Sequence, residues 1–176
     1  MNVRFERLRE PGKVVIEALN RWENDPSIIP LTRPNRNKEE LEQREEINLD
    51  RLEKRLEHQR IYLIFLDDLL VGEMNYMVDP GHLFKKEQGT SWIGITIGES
   101  EGRGKGIGFQ AIQHLEQEAQ AEGLKRIELG VFEFNNQAIT LYEKLGYQKI
   151  GEIEDFTYWQ DKMWKDIRME KYLEKK

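Results

Sequence analysis

A chain of 176 residues suffices for one domain with a substantial core and is short for two of ordinary size, so residues 1–176 read as a single domain. Lys and Arg number 27 against 33 Asp and Glu, a formal charge of -6 that gives no overall support for nucleic-acid binding and favours cationic partners. With no cysteine, a disulfide framework, a thiolate metal site and a cysteinyl acyl-enzyme are all excluded. His58, His82 and His114 share no ligand spacing, so no metal is expected. Met1 to Glu10 lacks the apolar stretch of a signal peptide, and no apolar run approaches membrane-spanning length, which predicts a cytoplasmic protein without membrane contact.

Val3 to Leu8 alternates apolar and charged residues as a half-buried strand does, and Pro11-Gly12 ends it. A helix is expected next, with Val14, Val15, Ile16, Leu19 and Trp22 on its apolar face and Asn24-Asp25-Pro26 as its stop. Asp25 to Asn37 reads as loop, with Arg33, Arg36 and Lys38 as a solvated basic cluster. Lys38 to His58 is dense in charge around Leu41, Leu49, Leu52 and Leu56, which predicts one exposed amphipathic helix. Ile61 to Leu66 and Leu69 to Met74 flank Asp67-Asp68, an interval suited to a tight hairpin. Asp79 to Gly89 reads as loop and Thr90 to Ile97 as a strand. Beyond a Gly-rich turn, Ile112, Leu115 and Ala119 mark a helix that Gly123 closes. Arg126 to Val131 alternates again, with Ile127, Leu129 and Val131 on one face. Asn135 opens a helix in which Ala138, Leu141, Tyr142 and Leu145 share a stripe, and Gly146 ends it. Gln148 to Trp159 and Trp164 to Tyr172, joined by Gln160-Asp161-Lys162, predict a C-terminal hairpin. Its Phe156, Tyr158, Trp159 and Trp164 read first as core and otherwise as a dimer contact or an acceptor wall.

Arg103-Gly104-Lys105-Gly106-Ile107-Gly108 lies between the strand ending at Ile97 and a helix, where backbone N–H groups at a helix N-terminus favour a phosphate. It is not a Walker loop, because Gly106 follows Lys105 where Ser or Thr is needed, and no frame completes G-x-G-x-x-G. Taken alone, these six residues also fit a ligand-free turn. Read as Arg103-x-x-Gly106-x-Gly108, they resemble the pyrophosphate arm of the GNAT superfamily of N-acetyltransferases. Asn135-x-x-Ala138-x-x-Leu141-Tyr142-x-Lys144-x-Gly146-Tyr147 resembles the second signature of the same family. The resemblance covers Ser91 to Tyr172 in its residues, and the preceding half follows the family only in the order of its elements.

The resemblance implies an α/β (α+β) fold with a mixed central sheet splayed between its fourth and fifth strands, here Thr90 to Ile97 and Arg126 to Val131, and flanked by helices. It implies acetyl-CoA as acyl donor and a primary amine as acceptor, attacked directly in a ternary complex. Backbone groups from Ile95 to Ile97 would pair with the donor's pantetheine amides, and the amides of Gly104, Lys105, Gly106, Ile107 and Gly108 would receive its pyrophosphate beside Arg103. Asn135 would cap its helix or touch the cofactor, and Lys144 would reach the nucleotide end or solvent. Tyr142 would protonate the departing thiolate, against the alternative of a Tyr packed in the core. A Glu often serves as base on the fourth strand, but Trp92 stands at that place. Glu73 is therefore the carboxylate proposed for the role, with Glu133, Glu99 and Glu101 as alternatives. Composition points to a small polycation or a protein N-terminus as acceptor. A non-catalytic acyl-CoA sensor, or transfer of another acyl group or to a hydroxyl, are the competing readings, and homodimerisation stays open.

Overall fold

In the computed structural model, which describes residues 1–174, the alternating segments form one seven-stranded sheet. Its strands are β1 (Val3–Leu8), β2 (Arg60–Leu66), β3 (Leu69–Val78), β4 (Thr90–Ile97), β5 (Arg126–Phe132), β6 (Gln148–Trp159) and β7 (Lys162–Tyr172), in the spatial order β1-β2-β3-β4-β5-β7-β6. Every neighbouring pair is antiparallel except β4 and β5, which run parallel. Both hairpin turns are two residues long with left-handed backbone, at Asp67-Asp68 and at Gln160-Asp161, the geometry that matches strand twist. The second is one residue shorter than the expected connection, and β7 begins at Lys162.

Helices cover both faces. On one, α5 (Ile107–Ala121) and α6 (Asn136–Lys144) bury Ile107, Ala111, Ile112, Leu115, Tyr142 and Leu145 against Ile64, Met74, Ile93, Ile127 and Leu129. On the other, α1 (Lys13–Glu23) sets Val15, Ala18, Leu19 and Trp22 against Ile61, Leu63 and Leu70. Fully buried aliphatic side chains contribute about 1.5–3 kcal/mol each, so these two clusters hold the layers together. Val14 is 69% exposed and leaves the α1 stripe, because it lies about a quarter turn from the middle of the face that Val15, Ala18, Leu19 and Trp22 form. No helix among the described residues is long and apolar enough to cross a membrane.

The charged stretch after α1 departs from expectation. A short helix, α2 (Ile29–Thr32), interrupts the predicted loop, and the single helix expected from Lys38 to His58 is two, α3 (Lys38–Glu42) and α4 (Leu49–His58). The break is made by α1. Asn20 bonds both backbone groups of Ile47, each at 2.7 Å, and Asn24 does the same for Glu45 at 2.7 and 2.8 Å. These amides substitute for a neighbouring strand and let Ile47 enter the apolar cluster, after which Asn48 caps α4.

The other unforeseen layer is ionic. Arg126 and Glu128 alternate with Ile127 and Leu129 along β5 and are as fully buried on the opposite face. Glu128 accepts from the backbone amides of Phe84 and Lys85 at 2.7 and 3.0 Å and from Arg126 and Arg168 at 2.9 and 3.4 Å. Arg126 also reaches Glu170 at 2.7 Å and the carbonyl of Lys85 at 3.1 Å. Burial works against the Glu128 charge, yet the two amides and Arg126 hold its carboxyl below the usual range. The network pins the long loop from Asp79 to Gly89 onto β5 and β7.

Replacing Glu128 by Gln is expected to lower stability by about 3–5 kcal/mol, since two guanidinium groups lose a buried counter-charge. Urea unfolding measures this. Because the folded carboxyl binds its proton less readily than the unfolded one, its contribution is present above the ordinary Glu pKa and is lost as pH falls through the lowered folded value. The gap between wild type and variant should therefore narrow in acid.

Candidate active site

The parallel ladder between β4 and β5 has three rungs, Thr90 with Arg126, Ser91 with Ile127 and Trp92 with Glu128, and then stops. β4 stays paired with β3 as far as Ile97, and β5 stays paired with β7 as far as Phe132. From Ile93 to Ile97, therefore, the edge of β4 that faces β5 has no strand partner, a row of main-chain donors and acceptors open to an extended ligand. Ile95 and Ile97 are half-buried along that row.

Past Ile97 the chain turns twice against β3, with the amides of Gly98 and Glu99 both donating to the carbonyl of Val71 at 2.8 and 3.0 Å. A short 3₁₀ turn at Ser100–Gly102 follows. Gly104 and Gly106 take φ of +71° and +75°, with nothing within 4 Å of where a Cβ would stand. Backbone conformation, not space, demands glycine there. α5 then starts at Ile107 without a side-chain cap, so its first-turn amides are available to an anion at the positive end of the helix dipole. Arg103 is exposed beside this turn, its Nε 3.3 Å from the Ile97 carbonyl, and Lys105 is exposed. Gly108 serves a different purpose. A Cβ there would come 3.2 Å from Leu141, so it sets the contact between α5 and α6.

The end of α1 closes this turn from the other side. Arg21 and Trp22 bond Glu99 at 2.7 and 3.1 Å, and the Trp22 ring covers Gly98 so closely that a Cβ would lie 2.2 Å from it. The Arg21 bond holds Glu99 below the usual carboxylate range, so this alternative base is already engaged in fastening α1.

Tyr142 is 8% exposed on α6, its ring 5.9 Å from that of Tyr147. Burial alone pushes its phenol up to about 12, with no charged or hydrogen-bonding neighbour contributing, so it remains a proton donor across the working pH range. Asn135 caps α6 by accepting from the Ala138 amide at 3.3 Å, and Lys144 is exposed at the other end of that helix. Glu73 is buried on β3 and ion-paired with Arg55 of α4, while Asn75 donates to the same oxygen at 2.8 Å. Glu23 is close enough to feel the charges of Arg55 and Glu73, its carboxyl pushed up chiefly by desolvation and also by Glu73. The Glu73–Arg55 pair lies on the face opposite Tyr142.

Three features of the site escaped the sequence. The aromatic residues of the β6–β7 hairpin lie outside both apolar clusters and are only half-buried; they are not core. Phe134, Trp159 and Trp164 pack on one another, with Phe134 and Trp159 stacked at 4.3 Å and Phe134 and Trp164 edge-on at 5.3 Å. Arg55, in a charged segment that read as an exposed helix, and Asp166, in the predicted strand from Trp164 to Tyr172, also lie near these groups and were not singled out. The alternation of Asp166, Arg168 and Glu170 with Ile167 and Met169 is the signal that would have found the second. Among the described residues no cluster of His, Asp or Glu could hold a metal ion.

A mixed sheet that opens along its one parallel pair, beside an uncapped and glycine-turned helix N-terminus, defines the N-acetyltransferase class of fold. The model of the Acetyltransferase (GNAT) family matches residues 16–147, and the chain belongs to that family. A Spermine/spermidine N(1)-acetyltransferase from Bacillus subtilis (strain 168) is 33% identical over 95 residues, 52% of this chain and 60% of that protein. The match thus leaves a substantial part of that relative uncovered. Among solved structures, an N-acetyltransferase from Staphylococcus aureus Mu50 aligns with a TM-score of 0.74 at 21% identity, covering 99% of this chain and 100% of the other. The spermidine N-acetyltransferase from Vibrio cholerae in complex with CoA and spermine aligns at 0.73 with 17% identity, covering 97% and 95%. At such identities the likeness is one of fold.

A Gly106→Ala change is expected to lower stability by about 1–2 kcal/mol through the left-handed backbone alone. Gly81→Ala, at a position with equal space and no positive φ, should leave stability within about 0.5 kcal/mol of wild type in the same denaturation experiment.

Proposed function

We propose that this protein transfers an acetyl group from acetyl-CoA to a primary amine by direct attack in a ternary complex. The observation that carries this reading is the unpaired edge of β4 running straight into the uncapped N-terminus of α5. The residues fit the donor: the β4 edge offers amide partners for pantetheine, and the amides from Gly104 to Gly108 with Arg103 offer a cradle for pyrophosphate. Lys105, Asn135 and Lys144 lie at its margins, where Lys105 and Lys144 add positive charge. With no cysteine in the chain, no thiol can carry the acyl group, which favours direct transfer.

Tyr142 supplies the proton that the departing sulfur needs, and its raised pKa supports this by keeping it protonated. Glu73, expected from the sequence as the base, has one oxygen engaged by both Arg55 and Asn75, so its proposed part is instead to add negative charge for the acceptor's ammonium on the face opposite Tyr142. Glu23 adds to that charge. A polyamine is the acceptor best supported, on the acidic balance of the chain, the carboxylates around Arg55 and the similarity to a spermine/spermidine acetyltransferase.

Calorimetric titration with acetyl-CoA, followed by thiol release with spermidine, an aminoglycoside and a peptide N-terminus, tests the reading. Spermidine is expected to give the highest turnover. Binding without turnover on any amine would favour a sensor, and no binding would remove the donor site. Tyr142→Phe is expected to lower kcat by about 10²-fold or more while the Kd for acetyl-CoA holds.

A further inference from the structure

Trp92 takes the place on β4 where the family often carries a carboxylate, and its ring reaches across the opening of the sheet. The far edge of the ring lies 3.0 Å from the point where a Cβ on Gly130 would stand, and Asp166 Oδ2 of β7 lies 2.6 Å from the same point. Gly130 is the next residue on that face of β5 after Glu128, the last rung of the ladder. A carboxylate from β7 therefore arrives beside Trp92 at the start of the unpaired segment, and only a glycine at position 130 lets it through.

Arg168 orients Asp166 by donating from Nε to Oδ2 at 2.8 Å, while its guanidinium lies 4.8 Å over the Trp92 ring. The same guanidinium is fastened to the His82 carbonyl at 3.0 Å and to Glu128 at 3.4 Å. Oδ1 takes no part in these bonds. Among the described residues, the Ser91 hydroxyl is the one side-chain atom sealed from solvent without a partner, so Oδ1, which has no partner, keeps some exposure. Asp166 and Tyr142 thus stand on opposite faces of the split sheet, with the gap between β4 and β5 between them.

We infer that Asp166 removes the proton from the acceptor's ammonium, in place of the β4 carboxylate that Trp92 displaces. This rests on the acetyl-transfer reading above. One N–H proton passes from the ammonium to Asp166 Oδ1 and on to solvent. The freed lone pair forms the N–C bond to the acetyl carbon as the C–S bond breaks. The nitrogen's second proton replaces the one that Tyr142 gives to the sulfur. The amine adds to the acetyl carbonyl from one side of its plane and the sulfur leaves as the tetrahedral adduct collapses, so a base at the nitrogen and an acid at the sulfur act at separate positions. Burial pushes the Asp166 carboxyl up against the opposing pull of Arg168, which makes it a stronger base than an exposed Asp. The other charges near it are accounted for: Glu128 is shared through Arg168, and Glu152 of β6 is engaged by Lys149 and Lys165. His82, edge-on to Trp92, is pushed down by burial and by Arg168.

The test uses the full chain with acetyl-CoA and spermidine across a pH series. Asp166→Asn is expected to lower kcat by about 10²-fold or more near neutral pH, with acetyl-CoA affinity unchanged. The deficit should shrink by about tenfold per pH unit as the amine's own pKa is approached, because solvent then does the work of the base. In Asp166→Ser, which vacates the space, added formate should restore part of the rate. A loss that is constant with pH, no loss, or no rescue by formate would overturn the assignment. Should wild type bind acetyl-CoA yet acetylate no amine, the acetyl-transfer reading itself falls, an outcome separate from any of these.

Discussion

Three hydrogen-bonded rungs between β4 and β5 are the strand pairing that joins the two antiparallel parts of this sheet, β1 to β4 on one side and β5, β7 and β6 on the other. So short a seam is weak by itself. It is reinforced directly behind the rungs by Arg126, Glu128 and Arg168, which tie β5 and β7 to the loop that precedes β4. In that dry environment a fully paired set of charges is held stiffly, and removal of any member leaves the others exposed to a large desolvation penalty. The network makes it physically tolerable for the strands to part beyond Trp92, since the two halves stay fixed at one end while the other stands open.

From this opening the division of labour follows. The face of α5 and α6 carries the anion-binding turn and the buried phenol; the opposite face carries the carboxylates and the aromatic hairpin. The start of α5 carries the positive end of a helix dipole, while on the other face Arg55 and Arg168 pair with Glu73 and Asp166. A sheet with no gap would keep them apart. Beyond Trp92 the pairing of β4 with β5 stops, and the sheet is no longer a continuous wall there.

Much of the fold was legible because strands and helices announce themselves by apolar period, and turns by their Asp and Gly residues. Asp67-Asp68, Gly123 and Gly146 all do what local chemistry implies. Legibility failed where the decisive group came from another element. Nothing between Gln43 and Ile47 marks the end of a helix; Asn20 and Asn24, two turns of a different helix, impose it. Arg126, Glu128 and Asp166 looked like solvated residues because a charge on alternate positions reads the same whether water or an opposite charge faces it. The glycine turn from Arg103 to Gly108 and the helix start after it were readable because their geometry is carried by the backbone of consecutive residues. Asp166 was not singled out, since its surroundings are set by Gly130 and Trp92 on other strands.

Two kinds of glycine meet in the segment between Ile97 and α5. Gly104 and Gly106 answer to their own backbone angles and have empty space beside them; Gly98 answers to the ring of Trp22, seventy-six positions earlier in the chain. The first kind can be judged one position at a time. The second cannot: a larger residue at 98 demands a smaller one at 22, and a smaller one at 22 unfastens the indole bond to Glu99. Across a lineage these two positions would drift only as a correlated pair, and the junction between α1 and the anion-binding turn would change in a single jump rather than by degrees.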